Sequence, residues 1–130
     1  MHVNILVMSE FNFVKFTGYY PRGDTKISIN KSGLIRLSSG FCNITAILNH
    51  KYVVLYYDNQ RRAIALKFTN KKEDGSLMLT KDKYAMTISG KTFINANKIR
   101  EFGRFEWEKQ IVPTIGEVYI IKLDKNEKNL

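Results

Sequence analysis

Residues 26–68 read KISINKSGLIRLSSGFCNITAILNHKYVVLYYDNQRRAIALKF, and residues 83–123 read KYAMTISGKTFINANKIREFGRFEWEKQIVPTIGEVYIIKL. At a shift of fifty-seven positions Lys26 falls on Lys83, Ser32 on Ser89, Gly33 on Gly90, Ile64 on Ile121 and Leu66 on Leu123. A duplicated supersecondary unit preserves the order of hydrophobic periods and turn residues better than it preserves identities. The two stretches are therefore read as tandem ββαββ units with one short helix each. The expected fold class is mainly β (α+β), as a small β-barrel or as paired antiparallel sheets. Residues 1–130 are expected to form one domain, with the first unit at 26–68, a linker at 69–76, the second unit at 83–123 and a frayed tail at 124–130.

Local patterns give the elements. In 26–30, Ile27 and Ile29 fall on one face and Lys26, Ser28 and Asn30 on the other, the period of a half-buried strand. Gly33 permits the positive φ of a tight turn, and 34–37 returns. Ser38 or Ser39 suits a helix start, after which Phe41, Ile44, Ile47 and Leu48 share a helical face. Residues 52–57 (YVVLYY) are apolar on both sides and predict a central, doubly covered strand. Asp58-Asn59-Gln60-Arg61 turns, and 62–68 closes the unit with Ile64, Leu66 and Phe68 inward. Residues 77–80 predict an extra strand. In the second unit Tyr84, Met86 and Ile88 alternate, Ser89-Gly90 turns, and 92–94 is expected to return as a strand. Asn95 would cap a helix carrying Ile99 and Phe102, ended by Gly103. Phe105 and Trp107 then alternate with Glu106 and Glu108, a connection with Pro113 follows, and 117–123 closes the unit. Ahead of both units, 8–25 carries Phe11, Phe13, Phe16, Tyr19 and Tyr20 among Lys15 and Arg22, read as an added strand or a cover for the core in preference to a surface that stacks on unpaired bases, before a turn at Pro21-Arg22-Gly23-Asp24.

Composition narrows the class of protein. The 44% hydrophobic content excludes a disordered chain, and no apolar run approaches the roughly 20 residues that span a bilayer. No membrane partner is expected, and the start of the chain lacks the basic flank and cleavage site of a signal peptide. The single Cys42 cannot form an internal disulfide and lies in an apolar stretch, so a buried, inert thiol in a reducing, cytoplasmic setting is expected. With only His2 and His50 as further soft ligands, no metal or other cofactor is expected. His50 follows the apolar helix end and reads as a capping or surface histidine. No enzyme signature is present: no His and carboxylate at metal spacing, no phosphate-cradling glycine loop, no nucleophile and base in a recognisable arrangement. The chain is read as non-catalytic.

Twenty-one Lys and Arg against twelve Asp and Glu leave a net charge of +9. In the first unit Lys26, Lys31, Arg36, Lys51, Arg61, Arg62 and Lys67 face a single acid, Asp58; in the second, seven bases meet Glu101, Glu106, Glu108 and Glu117. A cationic surface attracts phosphate backbones and anionic membranes alike, through counterion release or surface potential, and charge alone does not choose between them. Arg61-Arg62 and Lys71-Lys72 are the basic pairs. Either they are solvated turn residues, or Arg61 and Arg62 contact phosphates from a hairpin tip beside Lys31 and Arg36, for which the planar guanidinium fork is suited. Lys71 and Lys72 are offset by Glu73 and Asp74.

The order in 26–68 of turn glycine, return strand, short helix, apolar strand, polar turn and closing strand resembles the swapped-hairpin DNA-binding domains of the AbrB/SpoVT family, and the second unit makes the chain similar to their tandem members. That likeness implies interlocked hairpins completing a barrel and a basic DNA-binding surface near the first turn, on Lys31, Arg36 and Lys26. Leu34 stands where the family usually has a basic residue, and Ser38-Ser39 where it has proline. The stretch also looks like small bacterial and phage proteins with a Lys-x-Gly turn and an LYYD-type strand, a likeness that implies no function. The expectation is a nucleic-acid-binding protein that contacts duplex DNA mainly through phosphates, as a regulator of transcription, using Lys26, Lys31, Arg36, Arg61 and Arg62; a homodimer is left open. The alternative is a protein–protein interaction module presenting Tyr19, Tyr20 or Trp107.

Overall fold

Ile27 and Ile29 are both buried, as their alternation requires, and the chain reverses after them at a turn held by Asn30. The Asn30 side-chain oxygen accepts from the Ser32 and Leu34 amides at 3.0 and 2.9 Å, and Gly33 takes φ +88°. This closes the hairpin of β1 (Ile27–Ile29) and β2 (Leu34–Leu37). Ser38 then caps α1 (Ser39–Thr45), its hydroxyl accepting from the Phe41 amide at 3.2 Å. α1 stops at Ala46, which takes the left-handed conformation, so Ile47 and Leu48 sit in a separate 3-10 turn (Ile47–Asn49) and not on the same helix as Phe41.

The computed structural model describes residues 24–127; the aromatic segment expected to add a strand or cover lies outside the described residues, except for its last two. After the 3-10 turn come β3 (Tyr52–Asp58), β4 (Ala63–Thr69), β5 (Leu77–Met78), β6 (Thr80–Asp82), β7 (Ala85–Ser89), α2 (Lys91–Ala96), β8 (Gly103–Phe105), β9 (Glu108–Val112), β10 (Gly116–Lys122), a second 3-10 turn (Leu123–Lys125) and β11 (Asn126–Glu127). They build two sheets, in the orders β11-β8-β1-β2-β7-β6 and β5-β3-β4-β10-β9, here called the first and second sheet. Every strand pair among the described residues is antiparallel. The fold is thus mainly β with paired antiparallel sheets, and the sheets do not close into a barrel.

The second unit departs from the expected order. Residues 92–94, expected as a return strand, lie inside α2. Hydrogen bonding supplies the reason. Both edges of β7 are already occupied, by β2 and β6, so a strand at 92–94 would have no ladder to join. A helical turn instead satisfies the backbone locally, with the Ile94 amide on the Gly90 carbonyl at 2.9 Å. Consequently Asn95 lies near the end of a helix and not at its start, Ile99 is buried in a non-helical segment, and Gly103 opens β8. Within the segment expected to fray, 124–130, Asp124 and Lys125 lie in a 3-10 turn, and Asn126 and Glu127 pair with Phe105 and Arg104.

One apolar cluster lies between the sheets. Ile27, Ile29, Ile35 and Ile88 enter it from the first sheet, Val53, Ile64, Leu66 and Ile121 from the second, and Phe41 of α1 closes it. Ile64 and Ile121, which correspond at the fifty-seven-residue shift, are direct partners at the β4–β10 seam. β3 is less central than its composition predicts. It has β4 along one edge but only two-residue β5 on the other, and Val53 and Val54 are buried while Leu55, Tyr56 and Tyr57 are half-exposed.

Candidate nucleic-acid interface

The five basic residues singled out by the sequence divide between the sheets. Lys26 and Arg36 stand on the outer face of the first sheet, where the register places Arg104, Ser28, Arg36 and Thr87 in one cross-strand row. That row is locally neutralised: Lys26 lies 3.7 Å from Glu106, Arg36 3.7 Å from Asp82 and Arg104 3.0 Å from Asp24. Lys31 is exposed in the β1–β2 turn and has no carboxylate partner among the described residues. Arg61 and Arg62 lie in the β3–β4 turn of the second sheet, so the proposed neighbours come from different sheets.

Arg62 does not present its guanidinium for phosphate contact. It adopts φ +51°, and its fork grips Glu101, Nε to Oε2 at 3.0 Å and Nη2 to Oε1 at 2.5 Å, while Nη1 donates to the Tyr57 hydroxyl at 2.7 Å. The Arg62 hydrogen bonds hold the Glu101 carboxyl below its ordinary value of 4.5. A carboxyl with a lowered pKa in the folded state stabilises that state above its unfolded value, and the contribution disappears as pH falls through the folded one. Glu101→Gln should therefore lower the melting temperature at pH 7, and the gap to the wild type should close as the pH falls below 4.5. A gap unchanged down to acid pH in thermal scans would show that the pair contributes nothing. Arg61 is more exposed and bonds Asp58 at 3.2 Å; the Arg61 backbone amide and side chain hold the Asp58 carboxyl below its ordinary range.

α2 lies between these two turns. At its start, a Cβ on Gly33 would come within 2.6 Å of the Lys91 Cα, and the Gly90 amide donates to the Gly33 carbonyl at 3.0 Å. In its middle, the Phe93 ring meets Tyr57 edge-on at 6.4 Å. Just past its end, Glu101 receives Arg62. The first turn and the β3–β4 turn are thus docked at opposite ends of one short helix. Along that span Lys31, Lys91, Lys98 and Arg100 are exposed and have no ion-pair partner among the described residues, while the nearby carboxylate, Glu101, is held by Arg62. Lys91, Lys98 and Arg100 escaped the sequence reading. The available signal was that 91–100 holds three bases and no acid; assigning 92–94 to a strand hid that they flank a single turn of helix.

The remaining candidates resolve simply. Cys42 is buried, its thiol donating to the Leu37 carbonyl at 3.5 Å, and burial pushes its pKa up to about 11, which suppresses thiolate chemistry. His50 is half-buried; its backbone amide closes the 3-10 turn on the Ile47 carbonyl at 2.8 Å, and its Nδ1 has no partner among the described residues. Lys71 and Lys72 are exposed between β4 and β5. Trp107 is not an exposed aromatic: it packs edge-on against Phe41 at 5.0 Å and donates to the Thr25 carbonyl. Tyr19 and Tyr20 lie outside the described residues. Among the described residues no helix is long and apolar enough to cross a membrane, and no three His, Cys, Asp or Glu side chains gather at metal-binding distances. Set against known proteins, the chain matches no protein family, no curated sequence and no solved structure.

Proposed function

We propose that this protein is a non-catalytic nucleic-acid-binding domain that holds duplex DNA by its phosphates along the α2 side, in the role of a regulator. The observation that carries this reading is the set of four exposed cations, Lys31, Lys91, Lys98 and Arg100, that no carboxylate among the described residues neutralises. Elsewhere Asp24, Asp58, Asp82, Glu106, Glu108 and Glu117 each hold a base. Lys31 and Arg61 keep the role expected of them, Lys26 and Arg36 are partly offset, and Arg62 positions the turn. The reading does not depend on a closed barrel of the AbrB/SpoVT kind.

Four phosphate contacts imply a slope of log affinity against log salt of about −3.6, so raising salt from about 50 to about 200 mM should weaken binding roughly a hundredfold. Replacing Lys91 and Arg100 together by alanine should flatten that slope by about 2, whereas replacing Lys71 and Lys72 should leave it nearly unchanged. Anisotropy titrations with labelled duplex DNA measure both. Failure to bind at the lower salt ends the proposal.

One observation favours the alternative of a protein–protein module. β9 is an edge strand whose Ile111 is 75% exposed, an arrangement that invites pairing with a further strand, including one from a second copy. Sedimentation velocity over a range of concentrations tests it, and a monomer throughout excludes the homodimer.

A further inference from the structure

We infer that the outer face of the second sheet is a stacking trough for unpaired bases, so that the preferred partner is a single-stranded or opened stretch of nucleic acid; this rests on the nucleic-acid reading above. Register places Tyr56 of β3, Ala65 of β4 and Ile120 of β10 side by side on that face. Over them opens a cavity of about 1080 Å³, also lined by Ala63 and Val112. A second hollow of about 190 Å³ shares Ile120, Lys122 and Lys125 with the first and ends at Trp107. The adjoining hollows make a trough with Tyr56 in one part and, at the other end, the half-buried Trp107, whose ring packs inward on Phe41, floored between them by small or aliphatic side chains that leave room for a flat ring.

Size and charge favour an extended occupant over a compact one. The larger hollow alone stands at the upper end of the roughly 300–1,000 Å³ of ordinary small-molecule clefts, and the second extends it. Arg61, Lys122 and Lys125 line it, but so do Asp58 and Asp124, and Lys122 bonds Glu108 at 3.2 Å. Nearly balanced charge adds little counterion release. What the trough offers is an aromatic and apolar surface for bases, while the unpaired cations beside α2 hold phosphates. The two regions lie on opposite faces of β3, Tyr57 toward Phe93 of α2 and Tyr56 toward the trough, and meet at the β3–β4 turn, where Arg61 lines the trough and the next residue, Arg62, anchors the turn to Glu101 past the end of α2. A strand tracking α2 by its backbone rounds that turn to bring its next bases over Tyr56. Binding to unpaired strands uses this combination of basic track and aromatic platform, and base stacking tolerates any sequence.

The test uses the full chain with a labelled oligothymidylate and a duplex of equal length. The single strand should bind at least about tenfold more tightly than the duplex at one salt concentration. Tyr56→Ala should weaken single-strand binding roughly five- to a hundredfold and leave duplex affinity and both salt slopes unchanged, and Tyr56→Phe should restore binding. Trp107, the chain's one tryptophan, should be quenched by the single strand and not by the duplex. Ala65→Leu, which raises the floor without removing a packed ring, should reproduce the loss if Tyr56→Ala proves unstable. Equal binding of the two nucleic acids, or unaltered single-strand binding by a folded Tyr56→Ala or Ala65→Leu, overturns the trough while leaving the phosphate reading intact. Failure to bind either nucleic acid removes both. A concentration-dependent change in Trp107 emission without nucleic acid, abolished by Tyr56→Ala, assigns the trough to a second copy and also overturns the inference.

Discussion

Phe41→Ala should reduce the free energy of unfolding by about 3–5 kcal/mol, the range for removing a large buried ring and leaving a cavity. Phe41 is fully buried and joins three parts of the chain that sequence separates widely. Its ring meets Trp107 at 5.0 Å and Tyr119 at 5.4 Å, both edge-on, and Phe68 at 6.1 Å. Edge contacts of this kind add about 0.5–1.5 kcal/mol each beyond the apolar area they remove from water. Against a total stability of about 5–15 kcal/mol, the loss is a large fraction. Urea unfolding followed by the emission of Trp107 reads both the midpoint and the packing, because the reporter is itself one of the rings. Phe41→Leu, which keeps the site apolar, should cost markedly less. A loss below about 1 kcal/mol for the alanine variant would show that α1 is not seated on this cluster.

Gly33→Ala is expected to be strongly disruptive for a single added methyl. Gly33 holds φ +88°, where a side chain costs about 1–3 kcal/mol, and the added Cβ would lie 2.6 Å from the Lys91 Cα and 2.8 Å from its Cβ. The first of these is backbone, so the start of α2 itself must move. Gly75 separates the two causes: its φ is +84°, but nothing lies within 4 Å of an added Cβ. Gly75→Ala should carry the conformational cost alone, and the excess in Gly33→Ala measures the close approach of the first turn to α2. Equal midpoints in parallel denaturant titrations would mean that the two do not touch. Displacing α2 would also spread Lys31 and Lys91 apart, so the Gly33 variant should lose duplex affinity at concentrations where it remains folded.

Readability differed from element to element for physical reasons. The first unit was legible because its signals are local: alternation at Ile27 and Ile29, a turn glycine, a serine cap and two apolar strands around a polar turn. The second misled because the same motif, Ser-Gly followed by alternating residues, precedes a helix there. Position 34 continues into a strand that pairs with β1 and β7, whereas position 91 meets a β7 whose edges are filled. Edge availability depends on the whole sheet and leaves no trace in ten residues of sequence. Charge behaved likewise. The surplus of cations could be counted, but which remain unpaired could not, because Arg62 and Glu101 lie thirty-nine positions apart and meet only when α2 packs beside the β3–β4 turn.

From its residues alone this chain determined a β-rich architecture, the paired hairpins of its first unit, the buried inert thiol and a surplus of positive charge. These follow from periodicity, turn chemistry and composition, which act over a few residues or over the whole chain at once. Only the tertiary structure decided that the sheets stay open, that 92–94 coils into a helix, that Arg62 is held by a carboxylate while Lys91 and Arg100 are not, and that Tyr56 and Trp107 border adjoining hollows. Each of those depends on which distant segments occupy an edge, a face or a charge, and long-range packing alone settles that competition.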